Sequence, residues 1–535
     1  MDRHVVFSMH PDDVAHSARV LPTHEGESSL RVPAYLQGPV EAEFRNNFSD
    51  RRIMPAKHTG EVALPVFSVP IASAQILTAP GLPKIISDYL FFETAGQEFV
   101  RVAVDPKEQE RLKAAEETYD STRISARRTS SIRTLQSWGY WREDHPSAPW
   151  QYTTPFYLKV DGEKHRSGDD NLDWEFLSLA VEISSWLEKR KVEADSQYTF
   201  LRALAAVQAT AQKRALHQIV RESVLPDRAD DYQRFPILPL HAIVGYKGPH
   251  EENSSINDRS YYDVDETGFV KALRKQHGVK KGLFIEKLCE LLGVYFAESL
   301  MKMGISGTDH GQNLMVEMDM QTGLPTRIVY RDLTDIVIDP FLSALDSQGS
   351  FIGTPNIDVS YFLNSKEIHS EEPKSTGLNE WLERFFVKQV FQPMRIAFNV
   401  VRVFRAFKRG FFSIVDKELF SESGVKLTQM SAEKLIRLAH YWQVQKQYKR
   451  LKASAKRVDF DSDFIEQQVA QGKALFCELE TITSDPNGRF YYKPTLTDRV
   501  FTPHLRKALE FYALDEQHII FFNKDDGLLL GMIVL

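Results

Sequence analysis

Apolar and polar side chains alternate most clearly in residues 307–333, GTDHGQNLMVEMDMQTGLPTRIVYRDL. Leu314, Val316 and Met318 interleave with Met315, Glu317 and Asp319, and residues 321–325 supply a glycine-containing turn. A period of two around such a turn predicts a β-hairpin. The same period predicts strands at EFVRVAV (98–104), PFYLKVDG (155–162) and FPILPLHAIVGY (235–246). Helical spacing takes over in DWEFLSLAVEISSWLEKRK, whose acidic start and basic end suit the helix dipole, and residues 173–224 read as helical throughout. GFVKALRKQHG and LFIEKLCELLGVYFAESLMKMG, the latter ending at Gly304, predict two more helices. Residues 106–127 read as a charged helix running into a loop, and 138–150 as an insertion rich in tryptophan and proline. Beyond Pro340 the pattern is mainly helical to about Gly472. The chain closes with HIIFFNKDDGLLLGMIVL, two apolar strands around an Asp-Asp-Gly turn.

This alternation places the chain in the α+β class, a mixed sheet and helices followed by a largely helical C-terminal domain. The division expected is an N-terminal α/β region over 1–127, a catalytic core over 128–340 and a helical domain over 341–535 that ends in a β-hairpin. With 535 residues, 42% of them hydrophobic, the chain can bury a large core. A net charge of -7 provides no global field for nucleic acid or an acidic membrane, so an anion site has to be local and its ligand small. Two cysteines, Cys289 and Cys477, make neither a disulfide framework nor a cysteine metal site, and Cys289 falls in an apolar helical pattern as core filler. The N-terminus lacks an apolar leader, and the longest apolar stretch, 64–83, contains four prolines. A soluble, cytoplasmic protein is expected.

Several polar residues are surplus to folding. Asn313 and Asp332, at opposite feet of the hairpin, are the right types to hold Mg²⁺ with a triphosphate, since magnesium takes a few oxygens from protein and the remainder from phosphate and water. They also read as ordinary hairpin-end residues. His310, just ahead of the first strand, suits charge stabilisation on a phosphate or acid–base work. TSSIRTL (129–135) brings hydroxyls at Thr129, Ser130, Ser131 and Thr134 beside Arg133, a set that can grip an α- or γ-phosphate or form a surface turn. Lys159, between Leu158 and Val160 in an apolar strand, needs a partner for its head, met by a phosphate or by snorkelling. Together, an Arg/Ser loop, a strand lysine, a later asparagine and a final aspartate reproduce the parts of an ATP site, in the order of a kinase-like cradle.

TSSIRTL, FYLKV, HGQN and YRDL, in this order, resemble the IucA/IucC family of NRPS-independent siderophore synthetases. HPDDVAHSAR matches that family's opening landmark in degraded form, keeping His10, Pro11 and Arg19. The resemblance implies a distantly kinase-like ATP-binding core, with Ser131, Arg133 and Lys159 on the ATP phosphates and Ser130 and Thr134 beside them. It implies His310 and Gln312 on the nucleotide and adenylate, Asn313 and Asp332 on Mg²⁺, and Arg331 orienting Asp332 or neutralising phosphate charge. His10, Arg19 and Arg166 would bind the substrate acid. The implied reaction activates a carboxylic acid, citrate or a relative, as an acyl-adenylate, from which an amine or alcohol displaces AMP; a homodimer is also implied. Two departures stand out. Thr308, next to Asp309, occupies the position of a family glutamate, and Lys164, His165 or Arg166 has to serve for a family arginine. Part of the usual N-terminal segment is expected to be lacking.

Two other readings compete with the ligase. A kinase-like phosphotransferase would release ADP, but no carboxylate stands where a catalytic base would precede Asn313. A diverged nucleotide- or metabolite-binding protein accords with the degraded landmark and Thr308, and runs against the intact His310, Asn313, Asp332, Lys159 and Arg133. His4, His10 and His16, the basic segment 446–457, and Arg402, Arg405, Lys408 and Arg409 read as surface features.

Overall fold

The computed structural model describes residues 61–104, 119–128, 134–142, 145–160, 174–211, 214–232, 234–247, 263–266, 268–307, 313–333, 336–354, 390, 399–423, 427, 430–460, 462–471, 473–477, 480–484, 490–494 and 508–535. Strands β1 (Glu61–Pro70) and β2 (Ala74–Thr78) lead to helix α1 (Lys84–Leu90), then β3 (Phe91–Thr94) and β4 (Gln97–Ala103). Three further strands, β5 (Tyr119–Arg128), β6 (Thr134–Arg142) and the long β7 (His145–Val160), precede helix α2 (Trp174–Glu193). After it come β8 (Ala203–Ala211) and β9 (Arg214–Glu222). All nine strands join one antiparallel sheet in the order β2-β8-β9-β7-β6-β5-β1-β4-β3.

Alternation along these strands gives the sheet two apolar faces. On one, Val66, Val100, Leu158, Val160 and Val220 bury against Ile86, Tyr89 and Leu90 of α1. On the other, Ala203, Ala206 and Ile219 pack on Leu177, Ala180 and Val181 of α2, where the alanines leave room for the helix. Each fully buried Val, Leu or Ile contributes about 1.5–3 kcal/mol.

Three expectations change here. Residues 119–128 are a strand, not the tail of a charged helix. Residues 138–142 and 145–150 lie in β6 and β7, whose pairings Tyr140↔Trp150 and Gly139↔Gln151 make them sheet and not an insertion. The helical reading holds for Trp174–Glu193 but fails over 203–211 and 214–222. ALAAVQATA has a helix former's composition, yet its backbone pairs with β2 on one side and β9 on the other, and sheet pairing overrides propensity.

The chain then builds a helical half around the expected hairpin. Strand β10 (Ile237–Pro239) runs into a helical turn over 240–243, which splits the single strand expected at 235–246, and then β11 (Val244–Lys247), which pairs with β12 (Asp263–Glu266). Helices α3 (Gly268–Gln276) and α4 (Lys281–Phe296) follow as expected, α4 continuing as a π-helical turn, Ala297–Lys302. Strand β13 (Ile305–Gly307) leads to the hairpin β14 (Leu314–Asp319) and β15 (Leu324–Tyr330), with β10 alongside β14, and β16 (Ile336–Ile338) pairs with β13. Buried Arg190 of α2 donates to the carbonyls of Lys302 at 2.9 Å, Leu342 at 3.0 Å and Met303 at 3.2 Å, capping the end of the π-helical turn.

Helix α5 (Val400–Phe411), capped by Asn399, crosses α4 with backbones close together. A Cβ on Gly293 would collide with the Phe407 carbonyl, and one on Gly410 with the Glu290 carbonyl. Helix α6 (Ala432–Ser454) and strand β17 (Lys456–Val458) come next, then α7 (Ser462–Ala470) and β18 (Ala474–Phe476). Strands β19 (Glu480–Ser484) and β20 (Phe490–Pro494) pair with each other, and β21 (Leu509–Ala513), β22 (His518–Asn523) and β23 (Leu529–Val534) close the chain. The expected terminal hairpin is real but belongs to a five-stranded sheet, β17-β21-β22-β23-β18. Val444 and Tyr448 of α6 pack on one face of it, and Ile465 of α7 on the other. No helix among the described residues is long and apolar enough to cross a membrane.

Candidate functional site

The hairpin positions the site. Leu314 pairs with Tyr330 in the last rung of the ladder, so Asn313 and Arg331 flank its two feet, with Asp332 one residue beyond. Asn313 is 1% exposed and Arg331 8%, while Asp332 is half-buried. The sheet is stitched to these feet. Residues 199–201, on the way into β8, run parallel to the end of β15. Tyr330 N–H donates to the Thr199 carbonyl at 3.0 Å and Leu201 N–H to the Tyr330 carbonyl at 2.8 Å. Gly307 makes the arrangement possible, because the Tyr330 ring lies where a Cβ on residue 307 would stand.

Lys159 lies on β7, in register with Thr134 of β6 and Ile219 of β9. Its ammonium is 6.0 Å from the centre of the Phe176 ring on α2. Side chains two apart on a strand share a face, so Tyr157 points to the same side. Tyr157 packs with Leu201, Leu225, Ile237, Met315 and Val329, which joins the lysine strand to the hairpin. Burial drives the Tyr157 phenol far above its ordinary pKa, and the Arg331 guanidinium beside it pulls it part of the way back. The sequence did not single out Tyr157; its position two residues before Lys159 is the signal that was available.

Arg331 carries an unmet electrostatic demand. Its Nε is buried and has no hydrogen-bond partner among the described residues. A buried guanidinium needs an anion or acceptors, and a phosphate or carboxylate meets its fork geometry. Near it in the chain stand Asp332 and Asn313, a carboxylate and an amide, residue types whose oxygens suit Mg²⁺ accompanied by phosphate. Among the described residues no group of three or more His, Cys, Asp or Glu is placed to hold a metal by itself.

Of the residues singled out in the sequence, the structure brings Asn313, Arg331 and Asp332 to one end of the hairpin, and joins Lys159 and the backbone of Thr134 to them through β7. Ser130, Ser131, Arg133, Arg166, His10, Arg19, His310 and Gln312 lie outside the described residues. The basic helices have other partners. Arg402 and Arg409 of α5 pair with Glu286 at 3.4 Å and Glu290 at 3.0 Å on α4, and Lys452 of α6 with Glu510 at 2.7 Å.

No family model matches the chain, and no curated protein matches it in sequence. Among solved structures, aerobactin synthetase IucC from a hypervirulent pathotype of Klebsiella pneumoniae is similar at 14% identity and TM-score 0.40, over 72% of this chain and 71% of that one. ATP-bound aerobactin synthetase IucA from the same source is similar at 12% identity and TM-score 0.43, over 79% and 70%. The petrobactin biosynthesis protein AsbB from Bacillus anthracis str. Sterne is similar at 14% identity and TM-score 0.40, over 82% and 68%.

Proposed function

We propose that the protein is an ATP-dependent ligase of the siderophore-synthetase type, which joins a carboxylic acid, citrate or a relative, to an amine or alcohol. A carboxylate oxygen of the acid attacks the α-phosphorus of ATP and pyrophosphate leaves. The amine or alcohol then attacks the acyl carbon, loses its proton, and AMP departs. In this reading Arg133, Lys159, Ser130, Ser131 and Thr134 grip the phosphates. His310 and Gln312 contact the nucleotide and the adenylate, and His10, Arg19 and Arg166 take the remaining carboxylates of the acid. Asn313 and Asp332 would hold Mg²⁺, which when bound offsets charge on the phosphates.

The observation that carries the reading is Arg331. A buried guanidinium with an open Nε stands beside Asp332 and against Tyr157 of the lysine strand, where an anionic group would compensate its charge. The deciding assay offers ATP, Mg²⁺ and a panel of carboxylic acids, citrate first, with hydroxylamine as acceptor. Expected products are AMP, pyrophosphate and a hydroxamate, and Asp332→Ala is expected to lower turnover about 100-fold or more. Release of ADP would move the protein to phosphotransfer. Turnover undiminished in Asp332→Ala would remove the hairpin feet from the mechanism.

A further inference from the structure

On the C-terminal sheet, three side chains from distant parts of the chain meet in a row. His518 opens β22, paired with Val534 of β23, and its side chain is 8% exposed. Asp515 stands in the turn between β21 and β22. Its Oδ1 accepts the N–H groups of Gln517 at 2.8 Å and His518 at 2.7 Å, which shapes the turn. The same carboxylate faces the His518 ring, with Nδ1 2.9 Å from Oδ1 and 3.0 Å from Oδ2. On the far side of the ring, Nε2 lies 3.1 Å from the Thr354 hydroxyl.

The proton positions follow from charge. Burial by itself would raise the Asp515 carboxyl, but the bonds from the Gln517 amide, the imidazole and the His518 amide outweigh it and hold the group below its usual range, so it is ionised at neutral pH. An ionised carboxylate only accepts, so Nδ1 carries the ring proton and the neutral ring presents a bare Nε2. Thr354 Oγ1 then donates to Nε2. A hydroxyl bonded to one imidazole nitrogen, with the other nitrogen fixed by a carboxylate, is the arrangement of an activated nucleophile.

The surroundings hold this row in place and leave room beside it. Phe351 bridges to Leu345, and the Ile352 N–H donates to the Ala344 carbonyl at 2.8 Å, which anchors the segment ahead of Thr354. The Phe351 ring stands edge-on to the imidazole, with centroids 4.9 Å apart at 62°, and limits its rotation. Gly353 then turns the chain at φ +92°, and a Cβ there would meet no atom within 4 Å. Open space therefore lies one residue from the hydroxyl, and Ile352, 43% exposed, adds an apolar surface close by in the chain. The turn asks only for the Asp515 bonds to two amides, so the row through His518 to Thr354 goes beyond what the turn needs.

We propose that Thr354, His518 and Asp515 form a catalytic centre of their own, which hydrolyses an activated ester of a small apolar carboxylic acid. Thr354 Oγ1 bonds to the acyl carbon while its proton passes to His518 Nε2, and the alcohol leaves with that proton. Water attacks the acyl-threonine in turn and gives a proton to Nε2, and Thr354 recovers it as the free acid departs. His518 is the general base, and Asp515 the residue that positions it. The centre shares no residue with the hairpin feet and does not depend on the ligase reading.

The test incubates the full chain with p-nitrophenyl acetate, follows release of p-nitrophenol and locates acetyl groups by peptide mass spectrometry. Acetylation at Thr354 and turnover of the ester are expected. Thr354→Val, close to the same shape, is expected to lower turnover about tenfold or more, and Thr354→Ser to retain it. His518→Gln is expected to slow acetylation at Thr354 about 100-fold. Asp515→Asn keeps an oxygen for the two amides but removes the counter-charge of the imidazolium. It is expected to lower turnover about tenfold or more and to move the acid limb of the pH–rate profile to lower pH, neither of which follows if the carboxylate serves the turn alone. If His518→Gln does not fold, the two variants of Thr354, a half-buried residue, decide the matter. Acetyl groups only at other residues, or ester turnover unchanged in Thr354→Val, would overturn the proposal.

Discussion

At the scale of single residues, charge inside the fold is held by partners chosen from far along the chain. Asp319 shows it at the hairpin turn. Its carboxylate accepts from Arg234 at 3.0 and 3.2 Å, from the Gln321 N–H at 2.9 Å and from the Thr322 hydroxyl at 3.0 Å. Burial by itself would raise the Asp319 pKa, but these bonds, Arg234 foremost, outweigh it and hold the carboxyl below the usual range. A carboxyl depressed in the folded state adds stability that is present above its unfolded value, near 3.9, and is lost as pH falls through the folded value. Asp319→Asn is therefore expected to lower Tm at neutral pH and to narrow its deficit against wild type below about pH 4, as thermal melts across pH would record. Little of this could be read from the sequence. Arg234 and Asp319 are ordinary surface types, and only Glu317, a lone acid in the buried run LMVEMD, marks in the primary structure that something must meet it.

Among elements, the pattern was readable where long apolar runs are bounded by clear turn or helix-end signals, even though β14, β22 and β23 are buried on both faces. The hairpin β14–β15, helix α4 and the strands β22 and β23 follow their patterns closely. It failed in β8, where alanines conceal a strand, and in β6 and the first half of β7, where tryptophans and prolines conceal the pairing, while the second half of β7 was read as a strand. Contact between elements was less legible still. Gly293 and Gly410 stand inside helices, and only the crossing of α4 and α5 through them shows why. Because the atoms facing each missing Cβ are backbone, neither helix can yield by turning a side chain. Gly410→Ala is expected to destabilise the fold by about 3 kcal/mol, the upper end for overpacking, measurable by urea denaturation, and Gly278→Ala, with open space around its Cβ, serves as the contrast for strain at a positive φ.

For the whole molecule, the candidate site is assembled from two halves whose relation no motif spells out. The sequence placed Asn313, Arg331 and Asp332 together because one hairpin is local. It could not place Tyr157 against Arg331, since that contact spans most of two hundred positions and depends on a sheet that propensity argues against. The parallel run of residues 199–201 along β15 joins the halves together with the Arg190 bonds to residues 302, 303 and 342. The amides of Leu201 and Tyr330 are expected to exchange with solvent only on global unfolding, as slowly as those of the central strands, which hydrogen exchange on the intact chain would report. That seam has a geometric meaning. Tyr330 is held on both sides, its N–H by residue 199 and its carbonyl by residue 201, and Arg331 is the very next residue, so the backbone that carries the guanidinium is anchored to the sheet one residue before the hairpin foot.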